Sequence, residues 1–191
     1  MAQSQKRSKV RLSLYIPPPS TYVNLSPITP PAFSSSFVTK IGNLHITSLK
    51  AIQEIKDELP ENAHVISFVP CTLPEKIDHH IISLSDNELG AKEMADNLDW
   101  LIEMAFKWMD ADDPIYIHCY AGASRSVACA IAFLMAIDWK NGEEILPVES
   151  YHEKIVMLRQ NPINPRHHLA TTEMNFAFLD MLIKYRLQFL S

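Results

Sequence analysis

Residues 114–139 constrain the fold of this chain more than any other stretch. A short β-branched run over 114–118 passes through a tight loop into a strongly apolar helix over 126–139. Around this unit, short apolar runs alternate with helical patterns. Residues 43–47, 64–69 and 79–84 read as strands. Ser48 is placed to cap a helix that Pro60 stops, so that helix is expected to reach Leu59. Within 90–110, Met94, Leu98, Leu101, Ile102, Ala105 and Met109 recur at helical spacing. Two more helices are predicted over 149–160 and 170–189. Such strand–helix alternation predicts an α/β fold, a single compact domain whose central, mostly parallel sheet is flanked by helices.

That domain is expected to span 38–191, behind an irregular arm of residues 1–37. Six of the 13 prolines fall in the first 31 residues, among many Ser and Thr, a composition that resists regular structure. The 191 residues suffice for one domain with a sizeable core. No apolar run approaches the ~20 residues of a membrane span, so none is expected. The N-terminus lacks the apolar region of a secretory signal. The three cysteines, Cys71, Cys119 and Cys129, make no disulfide framework. Together these features predict a cytoplasmic or nuclear location. The first 53 residues hold six Lys or Arg and no acidic residue, which leaves 11 basic against 22 acidic residues beyond. An acidic body offers no nucleic-acid groove, and no nucleic-acid partner is expected.

The chemistry concentrates in His118-Cys119-Tyr120-Ala121-Gly122-Ala123-Ser124-Arg125-Ser126, where a strand ends and a helix begins. Backbone N–H groups of such a loop turn inward, and the helix N-terminus adds partial positive charge, which together cradle an anion. Gly122 permits the curl and the close approach of backbone to ligand. Arg125 offers a planar fork matched to two phosphate oxygens. Cys119 is central to that field, where thiols are acidified and become nucleophiles. Five specified residue types in register arise by chance in about one chain of this length in ten thousand.

This stretch matches the H-C-x-x-G-x-x-R-[S/T] motif of the protein tyrosine phosphatases. Its Ala-Gly-x-Ser-Arg-Ser form, with Ala132-Phe133-Leu134-Met135 behind it, resembles the dual-specificity branch. The resemblance covers about residues 38–190. It implies hydrolysis of phosphotyrosine, and of phosphoserine or phosphothreonine, through a cysteinyl-phosphate on Cys119, with no metal and no cofactor. Tyr120, Ala121, Gly122, Ala123, Ser124 and Arg125 would bind the phosphate. Family members carry an acid about thirty residues before the cysteine. Asp86 lies 33 before Cys119 in the loop-like Ser85-Asp86-Asn87, and would protonate the leaving oxygen. Asp96, Asp110, Asp112 and Asp113 are rivals in or at the end of a predicted helix. Ser126 would start the helix and hydrogen-bond the Cys119 sulfur, and His118 would orient the loop.

Cys71 follows the strand predicted over 64–69, and strand C-termini of a parallel sheet share one end. A similar neighbour forms a protective disulfide in lipid-phosphatase relatives, which makes Cys71 a candidate redox partner for Cys119. Cys129 reads as core. The other seven histidines, including the pairs His79-His80 and His167-His168, have no ligand-like spacing with Cys and read as core or surface residues. Lys6, Arg7, Lys9 and Arg11, followed by Leu12-Ser13-Leu14, resemble the docking peptides by which kinases and their phosphatases meet. The expected partners are therefore a phosphorylated protein and a kinase docked on the arm. Alternatives within the same fold are a phosphoinositide or RNA 5′-phosphate substrate, or a non-enzymatic phosphate-binding pseudophosphatase. The neutral loop residues favour phosphoprotein over phosphoinositide. A sulfurtransferase is a further rival that Asp86 and Ser126 disfavour.

Overall fold

A computed structural model describes residues 38–159 and 174–190, so the arm, its basic segment and the Pro-rich turn at 161–165 lie outside the described residues. The elements run in the order β1 (Val38–Ile41), β2 (Leu44–Ser48), α1 (Leu49–Ile55), β3 (His64–Ser67), β4 (Asp78–Ile81), α2 (Glu88–Asp110), β5 (Ile115–Cys119), α3 (Arg125–Asn141), α4 (Val148–Arg159) and α5 (Phe176–Leu187). They form one five-stranded sheet ordered β1-β2-β5-β3-β4. Only β1 runs antiparallel to its neighbour; β2, β5, β3 and β4 are mutually parallel. The expected α/β domain with a mostly parallel sheet is what forms.

Strand alternation sorts the core into two layers. Ile115 and Ile117 of β5 and Ile66 of β3 face the larger core, with α2, α3, α4 and α5. Tyr116 and Val65 face the smaller one, with Ile52 of α1, Leu59, Ala63 and Ile77. Helix α3 is buried at every residue from Arg125 to Ile137, as befits a helix apolar all round. Gly142 closes it in the left-handed conformation at φ 73°.

Boundaries differ from the expected ones for local reasons. Helix α1 ends at Ile55 rather than Leu59, because the chain turns where the Glu58 N–H donates to the Ile55 carbonyl at 2.9 Å. Its cap is as expected, with Ser48 Oγ accepting from Ala51 N at 3.1 Å. Strand β4 ends at Ile81 rather than Leu84, although Ile82 N still donates to Ser67 O and Leu84 N to Phe68 O. Strand β1 was not anticipated; its four residues add an edge too short to give a period-2 signal. Helix α3 starts at Arg125, with Ser124 as N-cap, so Ser126 is the helix's second residue and not its start.

Candidate active site

Strand β5 delivers Cys119 to the C-terminal end of the sheet, where parallel strands place their ligand sites. The loop beyond rests on the β2–α1 junction, with Leu49 N donating to Tyr120 O at 3.2 Å. Gly122 adopts φ 74°, and a Cβ there would stand 2.9 Å from the Thr47 carbonyl oxygen. Both the backbone conformation and the close approach therefore require glycine.

Cys119 is buried, and its sulfur sits among donors. The Gly122 N–H donates to Sγ at 3.2 Å. Ser126 Oγ lies 3.3 Å from the same sulfur, the contact expected of it. Arg125 is buried on the first turn of α3, and its NH1 donates to the Leu84 carbonyl at 2.7 Å and more loosely to Phe68 O at 3.4 Å. Those carbonyls belong to the segments leaving β3 and β4, so the sheet fixes the guanidinium. Its Nε has no hydrogen-bond partner, although Asp86 Oδ2 is 3.9 Å away. A buried donor left unmet is costly, which marks it as a group awaiting an acceptor.

Asp86 is brought to this loop. Ser124 Oγ donates to Asp86 Oδ1 at 2.8 Å. The rivals are taken elsewhere: Asp110 pairs with Lys140, Asp112 accepts from Asn43, and Asp113 accepts from Asn62, at or beyond the end of α2. Of the remaining loop residues, Tyr120 is exposed while Gly122 and Ser124 are buried. His118 is fully buried, and burial pushes its pKa down to about 4, so the ring is neutral. Its carbonyl accepts from Phe68 N at 2.9 Å, which ties the loop to the chain leaving β3.

Three residues that sequence reasoning missed, Arg159, Asn175 and Gly90, complete the arrangement. Arg159, the last residue of α4, donates from NH2 to Gly122 O at 2.8 Å and from Nε to Thr39 Oγ1 at 3.0 Å. Burial pushes this guanidinium down to about 10 while negative charge on Cys119 opposes the shift, so it remains a cation beside the loop at neutral pH. Asn175 caps α5 through Oδ1, donates from its backbone N–H to Ser124 Oγ at 3.1 Å, and donates from Nδ2 to the Asp86 carbonyl at 2.8 Å. An Asn just before an apolar run is a legible cap signal, but its reach to residue 86 is not. Gly90 lets α2 lie against the Ser85-Asp86-Asn87 segment, since a Cβ there would fall 1.8 Å from the Ser85 carbonyl oxygen. Cys71 lies across β5 from Cys119: its sulfur is 3.2 Å from His118 Nε2, on the α1 face, whereas Cys119 belongs to the core on the α3 face.

No family model matches the chain, and no curated protein matches it. Solved structures do. Human DUSP28 is 19% identical with TM-score 0.60, over 87% of this chain and all of the other. OH1 from the Orf virus, described as a tyrosine phosphatase with triple substrate specificity, is 17% identical with TM-score 0.60, over 77% and 84%. The human tyrosine phosphatase-like serine/threonine/tyrosine-interacting protein is 15% identical with TM-score 0.55, over 78% and 94%. At these identities the likeness speaks for architecture: the five-stranded sheet, its flanking helices and the loop behind β5 are together the fold of the dual-specificity phosphatases.

Proposed function

We propose that this protein is a dual-specificity phosphatase that hydrolyses phosphotyrosine, and phosphoserine or phosphothreonine, in protein substrates. The observation that carries this reading is the fixed, buried Arg125 with an unmet Nε donor, in the same loop as a Cys119 sulfur that accepts from a backbone N–H. The Cys119 thiolate attacks phosphorus and the ester P–O bond breaks. Asp86 gives its proton to the leaving oxygen. Loop N–H groups of residues 120–124 and the Arg125 fork hold the equatorial oxygens of the transferring phosphoryl group. Water then attacks the cysteinyl-phosphate, Asp86 takes its proton, and the S–P bond breaks to return thiolate and phosphate. Ser126 hydrogen-bonds the departing sulfur. His118 and Arg159 position the loop.

The test is turnover of p-nitrophenyl phosphate and of a panel of phosphopeptides, phosphoinositides and RNA 5′-phosphates. Wild type should turn over the phosphopeptides, while Cys119→Ser binds them without turnover because a serine hydroxyl is barely ionised at neutral pH. Residual turnover by Cys119→Ser removes Cys119 from the mechanism. Binding without turnover in wild type would make the protein a non-enzymatic phosphate-binding module.

Two further roles belong to this reading. Peroxide would convert the Cys119 thiolate to sulfenic acid, which the Cys71 thiol would attack to form a disulfide and release water. Both cysteines are free, and their placement on opposite faces of β5 means that the residues around Cys71 must move for the sulfurs to meet. Activity recovered by dithiothreitol in wild type but not in Cys71→Ser would support this role. Docking of a kinase on residues 1–37 is tested by deleting them. No helix among the described residues is long and apolar enough to cross a membrane, and a cytoplasmic or nuclear location is part of the same proposal.

A further inference from the structure

Strand register sets Ser67, the last residue of β3, beside His118 on β5. The Ser67 hydroxyl lies 2.5 Å from His118 Nε2 and 2.6 Å from His79 Nε2. Cys71 closes the third side, with Sγ 3.2 Å from His118 Nε2, 3.6 Å from His79 Nε2 and 3.5 Å from Ser67 Oγ. The two imidazole nitrogens and the sulfur all fall within 4.8 Å of one another. This cluster is on the face of β5 opposite Cys119, and the proposed phosphoryl transfer uses neither Cys71 nor His79.

We propose that Cys71, His79 and His118 form a binding site for a zinc-type divalent cation, with the Ser67 hydroxyl or a water as the fourth ligand. Tetrahedral zinc with Zn–S near 2.3 Å and Zn–N near 2.0–2.1 Å sets a sulfur and a nitrogen ligand about 3.6 Å apart. The observed sulfur–nitrogen separations of 3.2 and 3.6 Å need only a few tenths of an ångström of adjustment, and the two imidazole nitrogens lie within 4.8 Å of each other. The donor set of one thiolate and two imidazoles suits zinc and its neighbours rather than the oxygen-seeking magnesium or calcium. Ser67 Oγ now stands among the three donor atoms, and a rotation about its χ1 opens the centre or turns the oxygen into a ligand. His118 is fully buried while Cys71 and His79 are partly exposed, which gives a cation a route in from the surface. The ligands come from β4, β5 and the connection after β3. A bound cation therefore staples that connection to the sheet immediately behind the catalytic loop.

The site is tested by metal binding to full-length Cys119→Ser, which removes the proposed nucleophilic thiol and makes the result independent of any phosphatase activity. One Zn²⁺ per chain should bind and raise the Tm with zinc concentration. Co²⁺ in its place should give the near-ultraviolet sulfur-to-cobalt charge-transfer band of a thiolate complex. The only other thiol left, Cys129, is fully buried with its pKa pushed far up by that burial. His79→Gln and Cys71→Ser should each weaken binding by at least about 100-fold, more than loss of an outer hydrogen-bond partner does. His80→Gln should bind as before, because His80 pairs with Asp78 and packs on Trp100 and Trp108 instead. Stoichiometric zinc bound equally by the His79 and Cys71 variants, binding lost with His80, or no charge-transfer band with cobalt would each overturn the proposal. The cobalt spectrum decides it even if a histidine variant fails to fold.

Discussion

The two ends of the sheet are both polar, and they treat polarity in opposite ways. At the N-terminal ends of the parallel strands, His64 is hydrogen-bonded to Asp78 at 2.7 Å and to Asp113 at 3.3 Å, and it stacks on Trp108 with ring centroids 4.3 Å apart. Asn43 donates to Asp112 and Asn62 to Asp113, both at 2.6 Å. The charges of Asp78, Asp112 and Asp113 each meet a partner there. At the C-terminal ends, a guanidinium and a thiol are buried together, and Arg125 keeps an Nε without a partner. Local satisfaction at one end secures strand register. Incomplete satisfaction at the other leaves valence for a ligand, a cost that the scaffold tolerates where a site is wanted.

If that contrast is right, substitutions at one end should change rate and those at the other only stability. The largest effect is expected for Asp86→Asn, which should lower kcat on alkyl phosphate esters by about 10²–10⁴. Near wild-type rates would assign the acid to another residue. Arg125→Lys should lower kcat/KM by roughly 10²–10³, because an ammonium cannot fork onto two oxygens. Its melting temperature separates this from a folding defect.

Gly90→Ala sharpens the comparison, since residue 90 touches no reacting atom. The added Cβ meets the Ser85 carbonyl and must push the acid loop. Displacement on the order of 1 Å costs about 100-fold in rate, and the loss should be larger for alkyl than for aryl esters, whose leaving groups need the acid less. Equal losses for both would mean that the whole fold, and not the acid, has shifted.

At the opposite end, His64→Ala should leave kcat/KM unchanged while denaturant unfolding shows a loss of about 1–2 kcal/mol from its hydrogen bonds and stacking. Hydrogen bonds from Asn62 and then His64 hold the Asp113 carboxyl below the usual carboxylate range. A depressed pKa stabilises the fold above the unfolded value and loses that contribution as pH falls through the folded one. Asp113→Asn should therefore flatten, slightly, the loss of stability below about pH 4. A change in turnover from either variant would break the division between the two ends.

What the sequence revealed follows how local each feature is. The loop from His118 to Ser126 is contiguous, so its motif was legible, and the alternation around it announced a mostly parallel sheet. Asp86 came from a family spacing, and the Ser124 contact gives that position a physical partner. Arg159, Asn175 and Gly90 act across 37, 51 and 5 residues respectively, on Gly122, Ser124 and Ser85, and no periodicity encodes such pairings. The cluster of Cys71, His79 and His118 escaped for the same reason: spacing along the chain showed no ligand pattern, and only strand register makes one.

The hydrogen bond from Ser124 to Asp86, reinforced by Asn175, also bears on timing. Enzymes whose acid rides a mobile lid must wait for that lid to close, and their turnover then follows solvent viscosity and the lifetime of the open state. Here Asp86, the proposed acid, is already hydrogen-bonded to the loop that carries Cys119 before any substrate arrives. If that contact spares the reaction a closing step, a pre-steady-state trace should show phosphocysteine forming without a lag.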